Sequence, residues 1–146
     1  MIGYMLTWTT YGSWLQGDER GYVKKGIILG KDKDLHQANV SQQKMPAVSL
    51  DDNQQEIVRK AIELEAKTLG QKIHGLTVRS QHVHLVADDI ELPVGKAVSH
   101  YKNAARLALR AQGHNGRIWT RGFDKRYCFT RRELQNRIAY IQKHNQ

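Results

Sequence analysis

The chain is poor in cysteine, proline and long apolar runs. Its single cysteine, Cys128, excludes an internal disulfide and offers no second thiolate for a zinc knuckle. Any metal chemistry therefore falls to His, Asn, Gln and carboxylates. No apolar run approaches the ~20 residues of a membrane-spanning helix, and the opening MIGYMLTWTTYGSW lacks a basic stretch followed by a signal-type apolar core. The expectation is a soluble cytoplasmic protein with no membrane partner. Acidic residues are scarce at one end: residues 96 to 146 carry 12 Lys and Arg against 2 Asp and Glu, whereas residues 1 to 95 carry 11 against 12. The net charge of +9 thus resides in the C-terminal third, which is expected to face a polyanion.

What is present suits one domain of 146 residues, spanning 1–146. YMLTWTT (4 to 10) alternates as a strand. From Gly12 to about Pro46 the pattern dissolves into glycines and mixed charges, a long loop with a possible short strand at Ile27 to Leu29. A helix is predicted from about Asp51 to Leu69, with Ser49 as candidate cap, Ile57, Val58, Ala61, Ile62, Glu65 and Leu69 inward, and Gly70 as the stop. KIHGLTV (72 to 78) and HVHLVAD (82 to 88) then read as an antiparallel hairpin. Pro93 opens a second helix to about Gln112, with Val94, Ala97, Val98, Tyr101, Ala104, Ala105 and Ala108 as its apolar stripe. Its other side carries Lys96, Lys102, Arg106 and Arg110. After a basic, aromatic segment with strand-like ends (117 to 129), Thr130 and Glu133 form a T-x-x-E cap for a last helix to about His144. Interleaved strands and helices of this kind predict an α+β protein with a ferredoxin-like antiparallel sheet.

Two features carry chemistry. Residues two apart on a strand share a face, so His82 and His84 project together and can share an ion. On the last helix, Leu134, Ile138 and Ile141 form a narrow apolar seam; Tyr140 and His144 lie on its flank, at roughly 240° and 280° from Leu134 on a helical wheel, and four apart they are surface neighbours. Tyr101, by contrast, falls on an apolar stripe and reads as core.

These residues resemble the single-tyrosine transposases of the HUH endonuclease superfamily, and among them the REP-associated tyrosine transposases. The family's two histidines around a bulky apolar residue are matched by His82-Val83-His84, and its nucleophile on a later helix by Tyr140. The resemblance runs through TWTTYGSWLQGDERG, HVHLVAD, AVSHYKNAARLAL, GHNGRIWTRGFDKRY and RIAYIQKHN, nearly the whole chain. It implies a ferredoxin-like sheet bearing the histidines, a tyrosine helix facing a bound Mg²⁺ or Mn²⁺, and cleavage and rejoining of single-stranded or hairpin DNA through a 5′-phosphotyrosine. By position the third metal ligand is His144, with Gln142 and Asn145 as rivals, because YIQKHNQ departs from the Tyr-Ile-x-x-Asn-Pro common in the family.

DNA phosphates are expected along Lys96, Lys102, Arg106, Arg110, Arg121, Lys125, Arg126, Arg131 and Arg132, with Trp14 or Trp119 either stacking on unpaired bases or serving as core. Trp8 reads as core, and His36, His74, His100 and His114 as surface or structural. A transposase of this type would be nucleoid-associated, as a monomer or as a homodimer exchanging helices. Three other readings remain open: a domesticated, catalytically silent hairpin-DNA-binding protein, a metal hydrolase using water, and an RNA-binding module.

Overall fold

The computed structural model describes residues 1–13 and 46–145. Residues 14–45 of the long loop, with its possible strand at Ile27 to Leu29, Trp14 and His36, lie outside the described residues. The elements run β1 (Gly3–Thr9), α1 (Asp52–Leu69), β2 (Ile73–Val78), β3 (His82–Asp88), α2 (Val94–Ala111), β4 (Asp124–Cys128) and α3 (Arg131–His144). The strands form one antiparallel sheet in the order β2-β3-β1-β4. With the βαββαβ succession, this is the ferredoxin-like arrangement that the sequence predicts.

Strand alternation divides the side chains between two faces. Tyr4, Leu6 and Trp8 of β1, with Val83, Leu85 and Ala87 of β3, pack under α1 and α2 in the larger core. Val58, Ile62 and Ala66 face it from α1, and Ala97, Val98, Tyr101, Ala105 and Leu109 from α2. Trp119 is buried there too, edge-on to Trp8, which stacks on Tyr101.

Helix ends follow local chemistry. Gly70 ends α1 at φ 70°, a left-handed conformation that favours glycine. The start differs from expectation, since Asp51 rather than Ser49 caps α1. Its carboxylate accepts from Gln54 N at 2.8 Å while Gln54 Oε1 accepts from Asp51 N at 2.9 Å, a reciprocal box that Ser49 lies too early to make. Thr130 caps α3 as predicted, its hydroxyl accepting from Glu133 N.

The opposite face of the sheet carries a smaller core and the polar cluster. Met5, Val86 and Cys128 pack against Leu134 and Ile141 of α3, with Ile138 alongside. The helix lies close because β2 has glycine beneath it: a Cβ on residue 75 would fall 2.7 Å from Ile141 Cγ2. That close approach sets the height of Tyr140, the residue before Ile141, above the sheet.

Candidate active site

Beyond the apolar contact of α3, the same face of the sheet turns polar. The register sets Thr77 of β2 beside His84 of β3, His84 beside Thr7 of β1, and Thr7 beside Asp124 of β4, one row across four strands. His82 pairs with Thr9 in the next row. The end of α3 hangs over these rows, tied to the β2–β3 hairpin. Thr77 Oγ1 donates to Asn145 Oδ1 at 2.7 Å, Asn145 Nδ2 donates to Leu76 O at 3.3 Å, and the Arg79 guanidinium donates to the carbonyl of His144.

This tether brings three imidazoles together. One ring nitrogen each from His82, His84 and His144 lies within 4.8 Å of the others. Tyr140 joins them, its ring centroid 4.8 Å from that of His144 and 5.8 Å from that of His84. Its side chain is 41% exposed, so a substrate can reach it from solvent. Of the rivals to His144, Asn145 is engaged by β2 as described, and Gln142 is exposed.

The environment favours neutral imidazoles. Burial, reinforced by His82 and His144, lowers the His84 pKa to about 4, and burial with His144 and Arg79 lowers that of His82. Neutral rings keep the lone pair that ligates a metal. Thr7 Oγ1 lies 2.7 Å from His84 Nδ1; when Nδ1–H donates to that oxygen, Nε2 carries the lone pair. His82 Nε2 is buried without a hydrogen-bond partner among the described residues, an arrangement that is unfavourable for a polar atom unless a ligand completes it. Three clustered imidazoles, one with an unpartnered nitrogen, fit a divalent metal ion.

Thr7, Thr77 and Arg79 were not legible as site residues. Thr7 and Thr77 reach the site through strand register, and Arg79 through the hairpin turn. Tyr101 lies on the far face of the sheet, fully buried, its hydroxyl donating to Gln71 in the core. Other histidines have separate partners: His74 with Asp88 at 2.5 Å, His100 with Glu65 at 3.2 Å, and His114 with Gln54.

Six of the basic residues singled out in the sequence fall in two regions. Arg106 and Arg110 of α2, with Asn115, Gly116 and Arg117, line a groove of about 500 Å³. Arg117, absent from the sequence-based set, lies over the Tyr11 ring at 4.7 Å. Lys102 is turned inward: its ammonium donates to the carbonyls of Thr120 at 2.9 Å and Gly122 at 2.7 Å, and burial, with Arg117 nearby, lowers its pKa to about 8. The second region comprises Lys125 and Arg126 on β4 and Arg131 and Arg132 at the start of α3, all exposed. Lys96 and Arg121 are exposed on α2 and in the segment before β4. No helix among the described residues is long and apolar enough to cross a membrane.

No family model matches the chain, and no curated protein matches it in sequence. Solved structures do. A REP-associated tyrosine transposase bound to a REP hairpin superposes with a TM-score of 0.58 at 15% identity, over 98% of this chain and 68% of that one. A protein from Deinococcus radiodurans R1, provisionally assigned as a transposase, superposes with a TM-score of 0.51 at 15% identity, over 97% of this chain and 89% of that one. The resemblance to the REP-associated tyrosine transposases first visible in the sequence motifs is therefore also a resemblance of fold.

Proposed function

We propose that the protein is a metal-dependent DNA strand-transferase and single-strand endonuclease of the HUH tyrosine transposase type, acting on single-stranded or hairpin DNA. The observation that carries this reading is the meeting of part-exposed Tyr140 with His82, His84 and His144 on the face of the sheet that α3 covers. A water-using metal hydrolase has no need of a phenol at that place. The structural neighbour that binds a REP hairpin, together with the acid-poor C-terminal third, supports DNA as the substrate.

His82, His84 and His144 would hold a divalent ion, which when bound polarises the scissile phosphate and offsets the charge that builds in the transition state. Imidazole ligands suit Mn²⁺ better than Mg²⁺, which prefers oxygen. Tyr140 Oη attacks the phosphorus: the O–P bond to tyrosine forms, the P–O3′ bond breaks, and the phenolic proton leaves as the 3′-oxygen gains one. One phosphodiester replaces another. Attack by a 3′-hydroxyl then reverses the step, rejoining the strand and freeing Tyr140 without ATP. Thr7 fixes the His84 ring, while Asn145 and Arg79 hold the end of α3 over the sheet.

The test is incubation with Mn²⁺ and a panel of labelled hairpin and single-stranded oligonucleotides, read on denaturing gels for a protein-linked strand, with peptide mapping of the adduct. Tyr140→Phe removes one oxygen from a part-exposed ring, so folding and DNA binding should persist while covalent capture vanishes. Tyr101→Phe should capture DNA as wild type does. Undiminished cleavage by Tyr140→Phe would favour the water-using hydrolase, and binding without cleavage by the wild type would favour a silent DNA-binding protein.

A further inference from the structure

Trp119 is enclosed in the core, so it offers no face to a base. Besides Tyr140, the described residues expose two other aromatics. Tyr127 is 38% exposed and Phe129 62%, their ring centroids 6.3 Å apart and their planes at 80°. Both lie on or just beyond β4, an edge of the sheet. Lys125 Nζ sits 5.6 Å from the Tyr127 ring centroid, and Arg131 and Arg132 follow Phe129 in the first turn of α3.

We propose that Tyr127 and Phe129 form a stacking platform for unpaired nucleotides of the DNA strand, with Lys125, Arg131 and Arg132 taking the neighbouring phosphates. This rests on the reading of the protein as a DNA strand-transferase and locates where its single strand lies. Charge selects the occupant. The carboxylates on β4 and α3 each have an internal partner: Asp124 pairs with Arg126 at 3.0 Å, and Glu133 Oε1 accepts from Phe129 N and Thr130 Oγ1 in the cap. Lys125, Arg131 and Arg132 form no ion pair among the described residues, so the apolar rings are bordered by uncompensated positive charge. An apolar protein partner would have to cover those cations, whereas a nucleic acid strand supplies phosphates for them and base faces for the rings. Duplex DNA hides its base faces in the stack, so the platform selects unpaired nucleotides.

The platform also sets a path. Tyr127 pairs with Tyr4 and therefore points to the helix-covered face, whereas Arg126, paired with Met5, points to the histidine-bearing face. A strand held on the rings passes round the β4 edge by Arg126 to reach Tyr140. Two strand spacings, about 10 Å, separate β4 from the histidines on β3. At the ~3.4 Å rise of a stacked strand, at least about three unpaired nucleotides lie between platform and nucleophile.

The experiment compares hairpins of one sequence, blunt or with a single-stranded tail, binding to wild-type protein, to the Tyr127→Ala/Phe129→Ala double variant and to Tyr127→Trp. The expected result is a loss of at least about tenfold in affinity of the double variant for the tailed hairpin, with blunt-hairpin affinity unchanged. Tyr127→Trp should retain tail binding, and indole emission should be quenched by the tailed hairpin alone, a readout that stands even if the double variant folds poorly. Equal losses on both hairpins, no loss on the tailed one, or no selective quenching overturns the platform. So does a wild-type dimer in sedimentation that the double variant abolishes, which would make the rings a self-association surface. Covalent capture by Tyr140 is scored separately at saturating DNA: its absence with tail-selective binding intact refutes the strand-transferase reading and upholds the platform, and the converse result does the opposite.

Discussion

Thr7→Val isolates the part played by the sheet in presenting His84. The substitution exchanges a hydroxyl for a methyl of similar size on a β-branched residue that is 9% exposed, so neither a cavity nor a change of strand propensity arises. What it removes is the 2.7 Å hydrogen bond to His84 Nδ1. The net loss in stability should be about 1 kcal/mol. The larger effect falls on the ring: with Thr7 as acceptor, Nδ1 keeps the proton and Nε2 keeps its lone pair, whereas without it both tautomers compete and the ring can turn. Removal of such a supporting hydrogen bond typically weakens metal affinity 10- to 100-fold, about 1.4 to 2.7 kcal/mol. Calorimetric titration of Mn²⁺ into wild type, Thr7→Val and Thr7→Ser measures this. Serine keeps the oxygen and should bind nearly as wild type does. Equal Mn²⁺ affinity in all three proteins would refute the tautomer argument, and absence of Mn²⁺ binding in the wild type would refute the metal centre itself.

Further outcomes follow from the same geometry. Gly75→Ala places a Cβ 2.7 Å from Ile141 Cγ2, so α3 must rise by about 1 Å to restore ordinary contact; covalent capture should slow by on the order of 100-fold while hairpin affinity measured by fluorescence anisotropy holds. Lys102→Ala removes the donor to two carbonyls before β4 and should lower stability by about 2 kcal/mol in a urea melt. Arg110→Ala, on the exposed groove, should instead leave the melt unchanged and reduce the salt slope of DNA binding by about one. The pH response has a definite sign. The folded-state pKa of His84 is depressed to about 4 from 6.5, so between those values the unfolded chain binds a proton that the folded one does not. With a chelator present, the His84 contribution to stability should be constant above pH 6.5 and fall toward pH 4, by at most about 3 kcal/mol. Urea midpoints that are flat across that window in the wild type, or equal in slope to those of His84→Gln, would contradict it.

Much of the site was legible because it depends on short-range periodicity. Strand alternation puts His82 and His84 on one face, and a four-residue helical step puts Tyr140 beside His144; both hold wherever the elements sit. The apolar seam of Leu134 and Ile141 likewise told which side of α3 would meet the sheet. Ser49, the cap expected from the sequence, and Asp51 are both chemically suitable, and the reciprocal bond with Gln54 selects Asp51. Trp119 remained open for a different reason: the segment around it is basic and lacks strong periodicity, and its burial comes from packing against Trp8 and from donation by Nε1 to Lys102 O. Lys102 reads from the sequence as part of a basic face for DNA phosphates, and in the structure its ammonium donates to two carbonyls more than 15 residues away.

By itself the sequence determined the elements, the face each presents and the pairing of chemical groups within one strand or one helix turn, because those follow from backbone geometry repeated every two or 3.6 residues. Which strands became neighbours was decided by tertiary structure. Only the order β2-β3-β1-β4 sets Thr7 against His84 and Thr77 within reach of Asn145, and only the approach of Ile141 to Gly75 fixes the height of Tyr140 over the histidines. Those contacts join residues 68 and 77 positions apart, and no local pattern encodes a register between strands so distant in the chain.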